Sequence, residues 1–294
     1  MPRYLDPKSD LVFKKIFGHH PELLKSFLNA ILPLPQDCTI ASITYLRSEN
    51  VPELAALKYS IVGVRCLDNH GRHFIVEMQL QWTNDFIKRM LFNTAATYVR
   101  QLEKGEKYQH LSPVYGLALI DDTFTQEKEW FHHYRMTNAN DGSKSLEDIQ
   151  LVLIELPKLK PTNITGKKLA VLWLRFLKEI NERTETVDSS LLEVEQIREA
   201  LSLLEVSSYN AEELREYDKS WDAVSSEKTL LSGKYDQGKA EGKVEGLTEG
   251  IARGLAEGKA EIIKNMHRAG FSVEQISQIA GLKQDEVQKI IESS

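Results

Sequence analysis

The sequence of 294 residues has few cysteines, no long apolar run and no excess of basic residues. Cys38 and Cys66 lie far apart without a Cys-x-x-Cys motif, which disfavours a structural zinc site and suits a reducing compartment. The opening MPRYLDPKSD has no apolar core of the kind that signal peptides carry, and no run is long enough to cross a bilayer. We therefore expect a cytoplasmic protein with no membrane segment.

The charge balance is mildly acidic. The formal net charge is -6, from 37 basic and 43 acidic residues. This balance excludes a protein coated in basic residues, so any contact with nucleic acid needs a local cationic groove. The sequence contains neither a Walker loop nor a dinucleotide fingerprint, and nothing in it indicates an organic cofactor.

Hydrophobic periodicity predicts a mixed α/β (α+β) fold in the first part of the chain. Apolar residues at helical spacing predict two helices over 9–32 and a long amphipathic helix over 84–104. The cluster Asp68-Asn69-His70-Gly71 predicts a hairpin turn. Strands are predicted over 39–46, 57–67, 74–81, 114–120, 128–137 and 151–156. This order predicts a mixed sheet flanked by helices.

The mixture of predicted strands and helices ends near residue 160. Regular structure is interrupted there by Pro157, Pro161 and Gly166. Beyond them, apolar residues at helical spacing predict helices over 167–181, 191–204 and 211–221. We predict an α/β domain over 1–160, a helical region over 161–232, and a glycine-repeat helix with a helix-turn-helix-like tail over 233–294.

Six glycines stand four residues apart from Gly238 to Gly258, within the charged sequence GKAEGKVEGLTEGIARGLAEGKAE. Each glycine inside a helix costs about 1 kcal/mol relative to alanine, and packing against another helix is the expected compensation. We predict homo-oligomerisation through this helix, with a mostly solvated helix as the alternative. In the tail, Ser272 and Gln275 form a predicted capping box, and the acidic last segment favours self-association or partner docking over base recognition.

Two polar residues on the predicted hairpin are the first candidates for chemistry. Glu77 and Gln79 are two apart on one strand and therefore project from the same face of the sheet. A carboxylate and an amide oxygen are ligands that Mg²⁺ accepts. A hairpin loop with an odd number of residues would place position 63 opposite Glu77, and that position is Gly63.

Several segments together resemble one known family. They are DPKSDLVFKKIFG, VRCLDNHGRHFIVEMQLQ, FIKRMLFNTAATYVRQLEKGEKY and PVYGLALID. With the stretch LVLIELPKL and the glycine-repeat tail, they resemble the recombination-promoting nucleases of bacteria, a transposase-like family with a PD-(D/E)XK nuclease-like fold. The resemblance implies a magnesium-dependent DNA endonuclease, and with the predicted pairing of the glycine-repeat helix we expect it to act on DNA as an oligomer.

The resemblance also implies site residues. The family places Asp on one hairpin strand and Glu-x-Lys or Glu-x-Gln on the next, so Glu77 matches the metal ligand and Gln79 the glutamine variant of the third position. Asp10 matches the acidic residue of the opening motif, as a second metal ligand, although Asp at a helix start also serves as a cap. Lys14 and Lys15, on the same predicted helix, are candidates for contacts with DNA phosphates.

One position departs from the family pattern. Gly63 stands where the family has Asp, and glycine cannot replace a carboxylate that helps to hold a metal ion. Impaired hydrolysis is therefore expected. The alternative is a catalytically inactive nuclease-fold protein that binds DNA or a protein partner as a regulator.

Overall fold

The computed structural model describes residues 4–35, 38–46, 61–80, 82–160 and 168–293. The chain divides into two compact units, Met1–Ser226 and Glu227–Ser294. Residues 57–60 of one predicted strand and 161–166 of the predicted domain exit lie outside the described residues. Within the described part, no helix is long and apolar enough to cross a membrane.

The described residues of the first unit contain a mixed sheet of six strands. They are β1 (Ile43–Tyr45), β2 (Ile61–Asp68), β3 (His73–Gln79), β4 (Val114–Ile120), β5 (Phe131–Asn138) and β6 (Asp141–Glu155). The order across the sheet is β1-β2-β3-β4-β6-β5. Strand β2 is antiparallel to β1 and β3, β4 is parallel to β3 and β6, and β5 is antiparallel to β6. The predicted mixed sheet is therefore confirmed.

Helices flank this sheet. They are α1 (Asp10–Phe13), which continues into a π-helical turn (Lys14–Gly18), α2 (Pro21–Ile31), α3 (Phe86–Val99), α4 (Lys168–Glu179), α5 (Ser189–Leu192), α6 (Glu195–Leu203) and the start of α7 (Ala211–Arg268). The main core contains residues of α1, α2, α4 and α6 together with one face of the sheet. Within it, Trp173 lies 5.7 Å from Phe17 and 5.8 Å from Phe27, measured between ring centroids.

Helix α3 packs on the other face of the sheet. A smaller core there contains Ile75, Phe86, Met90 and Ala118. Gly116 on β4 permits this close approach, because a Cβ atom at this position would lie 2.7 Å from the Thr94 hydroxyl and 2.8 Å from the end of Met90. Tight packing of α3 on β4 brings the polar residues of its inner face close to the neighbouring strand β3.

The second unit contains the remainder of α7, with α8 (Val273–Ala280) and α9 (Gln284–Glu292). Ile263, Ile276 and Val287 form its small core. The predicted capping box is confirmed, because Ser272 accepts from the backbone of Gln275 and the Gln275 side chain accepts from the backbone of Ser272. Gly238, Gly242, Gly246, Gly250, Gly254 and Gly258 lie within α7, and a Cβ atom at each would meet nothing among the described residues within 4 Å beyond the adjacent residues and the backbone of its own helical turns.

Candidate functional site

The hairpin register places Gly63 directly opposite Glu77. Strands β2 and β3 pair antiparallel with Gly63 against Glu77, as the sequence predicts. Gly71, in the turn between the strands, adopts φ 75°, a conformation that glycine adopts readily. Glu77 and Gln79 contact side chains of α3, so both lie on the face that this helix covers. Both are buried, with 4% and 0% of their surface exposed.

The Glu77 carboxylate has one oxygen in a hydrogen bond and one without a partner. Asn93 Nδ2 donates to Oε1 at 3.3 Å, whereas Oε2 is buried and has no hydrogen-bond partner among the described residues. Burial raises the pKa of Glu77, while the positive charges of Arg89 and Arg65 and the bond from Asn93 act against this rise. A buried acceptor without a donor is costly, and a role in binding or catalysis is one explanation for its presence.

Arg89 is the third member of the site. Its Nη2 donates to Gln79 Oε1 at 2.9 Å and lies 3.9 Å from Glu77 Oε2. The guanidinium also lies over the Phe86 ring, 4.9 Å from the centroid. Its Nε is buried without a hydrogen-bond partner among the residues that the structure describes. The site therefore holds one carboxylate oxygen and one guanidinium nitrogen that have no hydrogen-bond partner among the described residues.

Sequence reasoning missed Arg89, Asn93 and Arg65. Arg89 and Asn93 are four residues apart, so they share one face of α3, and both belong to the face that packs on the sheet. Arg65 lies on β2 two residues from Gly63, and its charge acts on Glu77. Polar residues at this spacing on the inner face of an amphipathic helix were the available signal.

A second buried carboxylate, Glu155 at the end of β6, makes a contrast with Glu77. Its oxygens accept from Phe124 N, Thr125 Oγ1, His132 Nε2 and Lys158 Nζ at 2.6 to 2.9 Å. Each Glu155 oxygen therefore has at least one donor, and Glu155 fixes the segment that joins β4 to β5. Burial alone therefore does not distinguish Glu77, but an open oxygen does.

The residues around Glu77 do not form a complete site for a divalent metal ion. Among the described residues, no three His, Cys, Asp or Glu side chains lie close enough to hold one. Glu77 brings one carboxylate, and Gly63 opposite it brings none. The Gln79 oxygen already accepts from a cationic group of Arg89. Magnesium sites in proteins commonly use one or two carboxylates with substrate phosphate, and a neighbouring guanidinium opposes cation binding.

The candidate site residues on the first helix, Asp10, Lys14 and Lys15, make contacts elsewhere in the chain. Ser9, and not Asp10, is the N-cap of α1, because its side chain accepts from Val12 N; Asp10 is the first residue of the helix. Asp10 pairs with Lys14 at 2.7 Å. Lys15 Nζ donates to the backbone oxygen of Ser208 at 2.6 Å and lies over the Tyr209 ring. Among the contacts of the described residues, none joins Asp10 to Glu77.

A family model described as PD-(D/E)XK nuclease family transposase matches residues 7–233. The match includes both strands of the hairpin and helix α3, so the whole site lies within it. No curated protein and no solved structure matches the chain. Nucleases of the PD-(D/E)XK type generally use divalent metal ions.

Proposed function

The chain belongs to the PD-(D/E)XK nuclease family transposases, and from this premise we propose that it acts on DNA through the site at Glu77 and Gln79. The reaction is metal-dependent hydrolysis of a phosphodiester, in DNA recombination or transposition in the cytoplasm. Hydrolysis by this chain is weak or absent, because its centre lacks one carboxylate.

One observation carries this proposal. Gly63 pairs directly with Glu77 across the β2–β3 ladder, so the position that would supply a second carboxylate faces the first one. Side chains of directly paired residues on one sheet face lie about 5 Å apart, which is close enough for two carboxylates to share one ion. Without the second carboxylate, Glu77 is the one buried carboxylate that the described residues supply to this centre, beside the cation of Arg89.

Mg²⁺ is the ion that we propose for this centre. Glu77 Oε2 and Gln79 Oε1 are oxygen ligands of the type that magnesium prefers, and Glu77 Oε2 accepts no hydrogen bond from the described residues, although Arg89 Nη2 lies 3.9 Å from it. Glu77 and Gln79 would hold the ion, which would supply Lewis-acid activation of water and stabilisation of the negative charge that develops on the phosphate. Asp10 stays a candidate for a further ligand, carried by the family resemblance alone.

Lys14 is the better of the two proposed DNA contacts on the first helix. Its side chain is 51% exposed and its only ion pair among the described residues is with Asp10, one turn away. Exposed pairs of this kind contribute little, so Lys14 can exchange Asp10 for a phosphate at low cost. The ammonium of Lys15, in contrast, already has a backbone acceptor and an aromatic ring.

We also propose that a second copy of this chain packs on α7. Val244, Leu247, Ile251 and Leu255 are 55% to 71% exposed, and their spacing of three, four and four residues places them in one stripe along the helix. An exposed apolar stripe on a charged helix is typical of helix pairing. A partner helix could also approach α7 closely at the glycines, because no side chain among the described residues of the same chain lies against them.

Nicking of supercoiled plasmid DNA, with and without Mg²⁺, tests the hydrolytic function. We expect weak or no nicking by the wild-type protein and a clear gain for Gly63→Asp. The matched control is Gly63→Asn, which adds the same volume without the charge and therefore gives no gain. A gain of about tenfold or more is expected, because removing one charge-stabilising group typically costs this much or more in rate.

Two other results would change the account. Strong nicking by the wild type that Glu77→Ala abolishes would show that another group, such as Asp10, completes the centre. Nicking that Glu77→Ala leaves unchanged would overturn the site itself. If Gly63→Asp stays inactive while the protein binds DNA, the inactive regulator is the better description.

A further inference from the structure

We propose that Arg89 supplies, from α3, the positive charge that lysine supplies in the Glu-x-Lys form of the motif, and that it binds the DNA phosphate at this site. The inference rests on the proposed action on DNA. It concerns a residue of the helix and not of the hairpin, and it assigns an anion-binding role to a position outside the strand motif.

The side chain at position 79 cannot carry this charge itself, because Gln79 is neutral. Its amide oxygen instead accepts from Arg89 Nη2 at 2.9 Å. The guanidinium is thereby held next to the place where a lysine side chain at position 79 would end. The hydrogen bond fixes one edge of the guanidinium, and the Phe86 ring supports one of its faces at 4.9 Å from the centroid.

The distance between Arg89 and Glu77 is too long for a purely structural ion pair. Arg89 Nη2 lies 3.9 Å from Glu77 Oε2, and neither that oxygen nor Arg89 Nε has a hydrogen-bond partner among the described residues. Arginine–carboxylate pairs are frequently bidentate, with nitrogen–oxygen distances of about 2.7 to 2.9 Å. Asp68 and Arg72 in the same chain are held more closely, because Arg72 Nε and Nη2 both donate to Asp68 Oδ2, at 2.8 Å and 2.6 Å.

Arg89 keeps 16% of its side chain exposed, and a phosphate would approach the guanidinium from that side. Guanidinium groups bind phosphate oxygens through their Nε and Nη atoms, and the charge is needed in a protein with a net charge of -6. Arg65 adds a second positive charge on the same site, since it acts on Glu77 together with Arg89. Arg89 and Arg65 are both partly exposed, and together they place two positive charges at this site.

The proposal is tested by moving the positive charge from position 89 on α3 to position 79 on β3. The proteins are the wild type, Arg89→Gln, Gln79→Lys and the double variant Arg89→Gln/Gln79→Lys, each checked for folding by thermal denaturation. The readout is the affinity for a fluorescently labelled DNA duplex in EDTA, measured by anisotropy at several salt concentrations. Because no metal is present, the result does not depend on hydrolysis.

We expect Arg89→Gln to weaken binding about tenfold, as loss of a charged hydrogen bond does. The slope of log affinity against log salt should fall in magnitude by about 0.9. The double variant should recover affinity and slope, because the lysine restores the charge from the strand. Lys88→Gln, on the neighbouring exposed position of α3, removes the same charge and should change binding less than threefold.

Three results would overturn the inference. The first is a folded Arg89→Gln protein with unchanged affinity and slope. The second is a folded double variant that does not recover, and the third is an equal loss in Lys88→Gln, which would indicate a general charge effect. None of these three results contradicts the proposed function. A wild-type protein that binds no DNA at all would contradict both the proposed function and this inference.

Discussion

At the scale of single residues, the role of each buried carboxylate depends on the hydrogen-bond donors around it. Glu155 is surrounded by donors and holds a loop, whereas Glu77 keeps one oxygen without a partner. Asp6 is a third case. It is 9% exposed, its Oδ1 accepts from Lys8 N, and Lys8 Nζ lies 3.7 Å from its other oxygen. Burial raises the pKa of Asp6 to about 6, although Lys8 acts in the opposite direction.

This shift predicts a pH dependence of stability. The unfolded state releases the Asp6 proton near its ordinary pKa of 3.8 and the folded state only near 6, so folding stability falls as pH rises across this range. The loss is roughly 3 kcal/mol, from about two pKa units. Asp6→Asn should remove it. Urea denaturation of both proteins between pH 4 and 7 measures the difference, and parallel curves would contradict the assignment.

At the scale of elements, some features follow from local sequence and others do not. The β2–β3 register follows from the turn cluster and the alternation around Glu77, and the capping box of α8 follows from Ser272 and Gln275. The extent of β6 does not, because its first half, from Asp141, is polar and exposed and lacks the alternation of a half-buried strand. The first half of β6 is a strand because it pairs with β5, and not because of its own hydrophobic pattern.

Helix α7 carries a prediction at this scale. Leu247→Gln/Leu255→Gln should lower the oligomeric mass measured by light scattering, since both side chains are exposed and belong to the apolar stripe. Gly246→Ala/Gly250→Ala should keep the mass and raise helix stability by about 1 kcal/mol per site, because no neighbour fills the glycine positions.

The remaining outcomes separate the alternatives for α7. A mass that falls in Gly246→Leu/Gly250→Leu but not in the stripe variant would place the partner in the glycine groove. A parent mass that survives both changes, and also survives deletion of residues 238–294, would show that the helix is solvated and not an assembly element.

At the scale of the whole molecule, the fold was predictable and the site only in part. The order of helices and strands gives the mixed sheet, and Glu77 and Gln79 follow from the strand period. The contribution of Arg89 depends on how closely α3 approaches β4, and therefore on Gly116, which is distant in sequence from the hairpin. The parallel pairing of β3 with β4 is equally non-local. Local patterns do not specify contacts of this kind.

The central claim is that a missing carboxylate at position 63 leaves the metal centre incomplete. Isothermal titration calorimetry of Mg²⁺ into the wild type, Gly63→Asp and Gly63→Asn tests it without any DNA. We predict weak or undetectable binding by the wild type and Gly63→Asn, and binding at least about tenfold tighter by Gly63→Asp, because a second carboxylate completes the oxygen ligands. Equal Mg²⁺ affinity in all three proteins would contradict the claim.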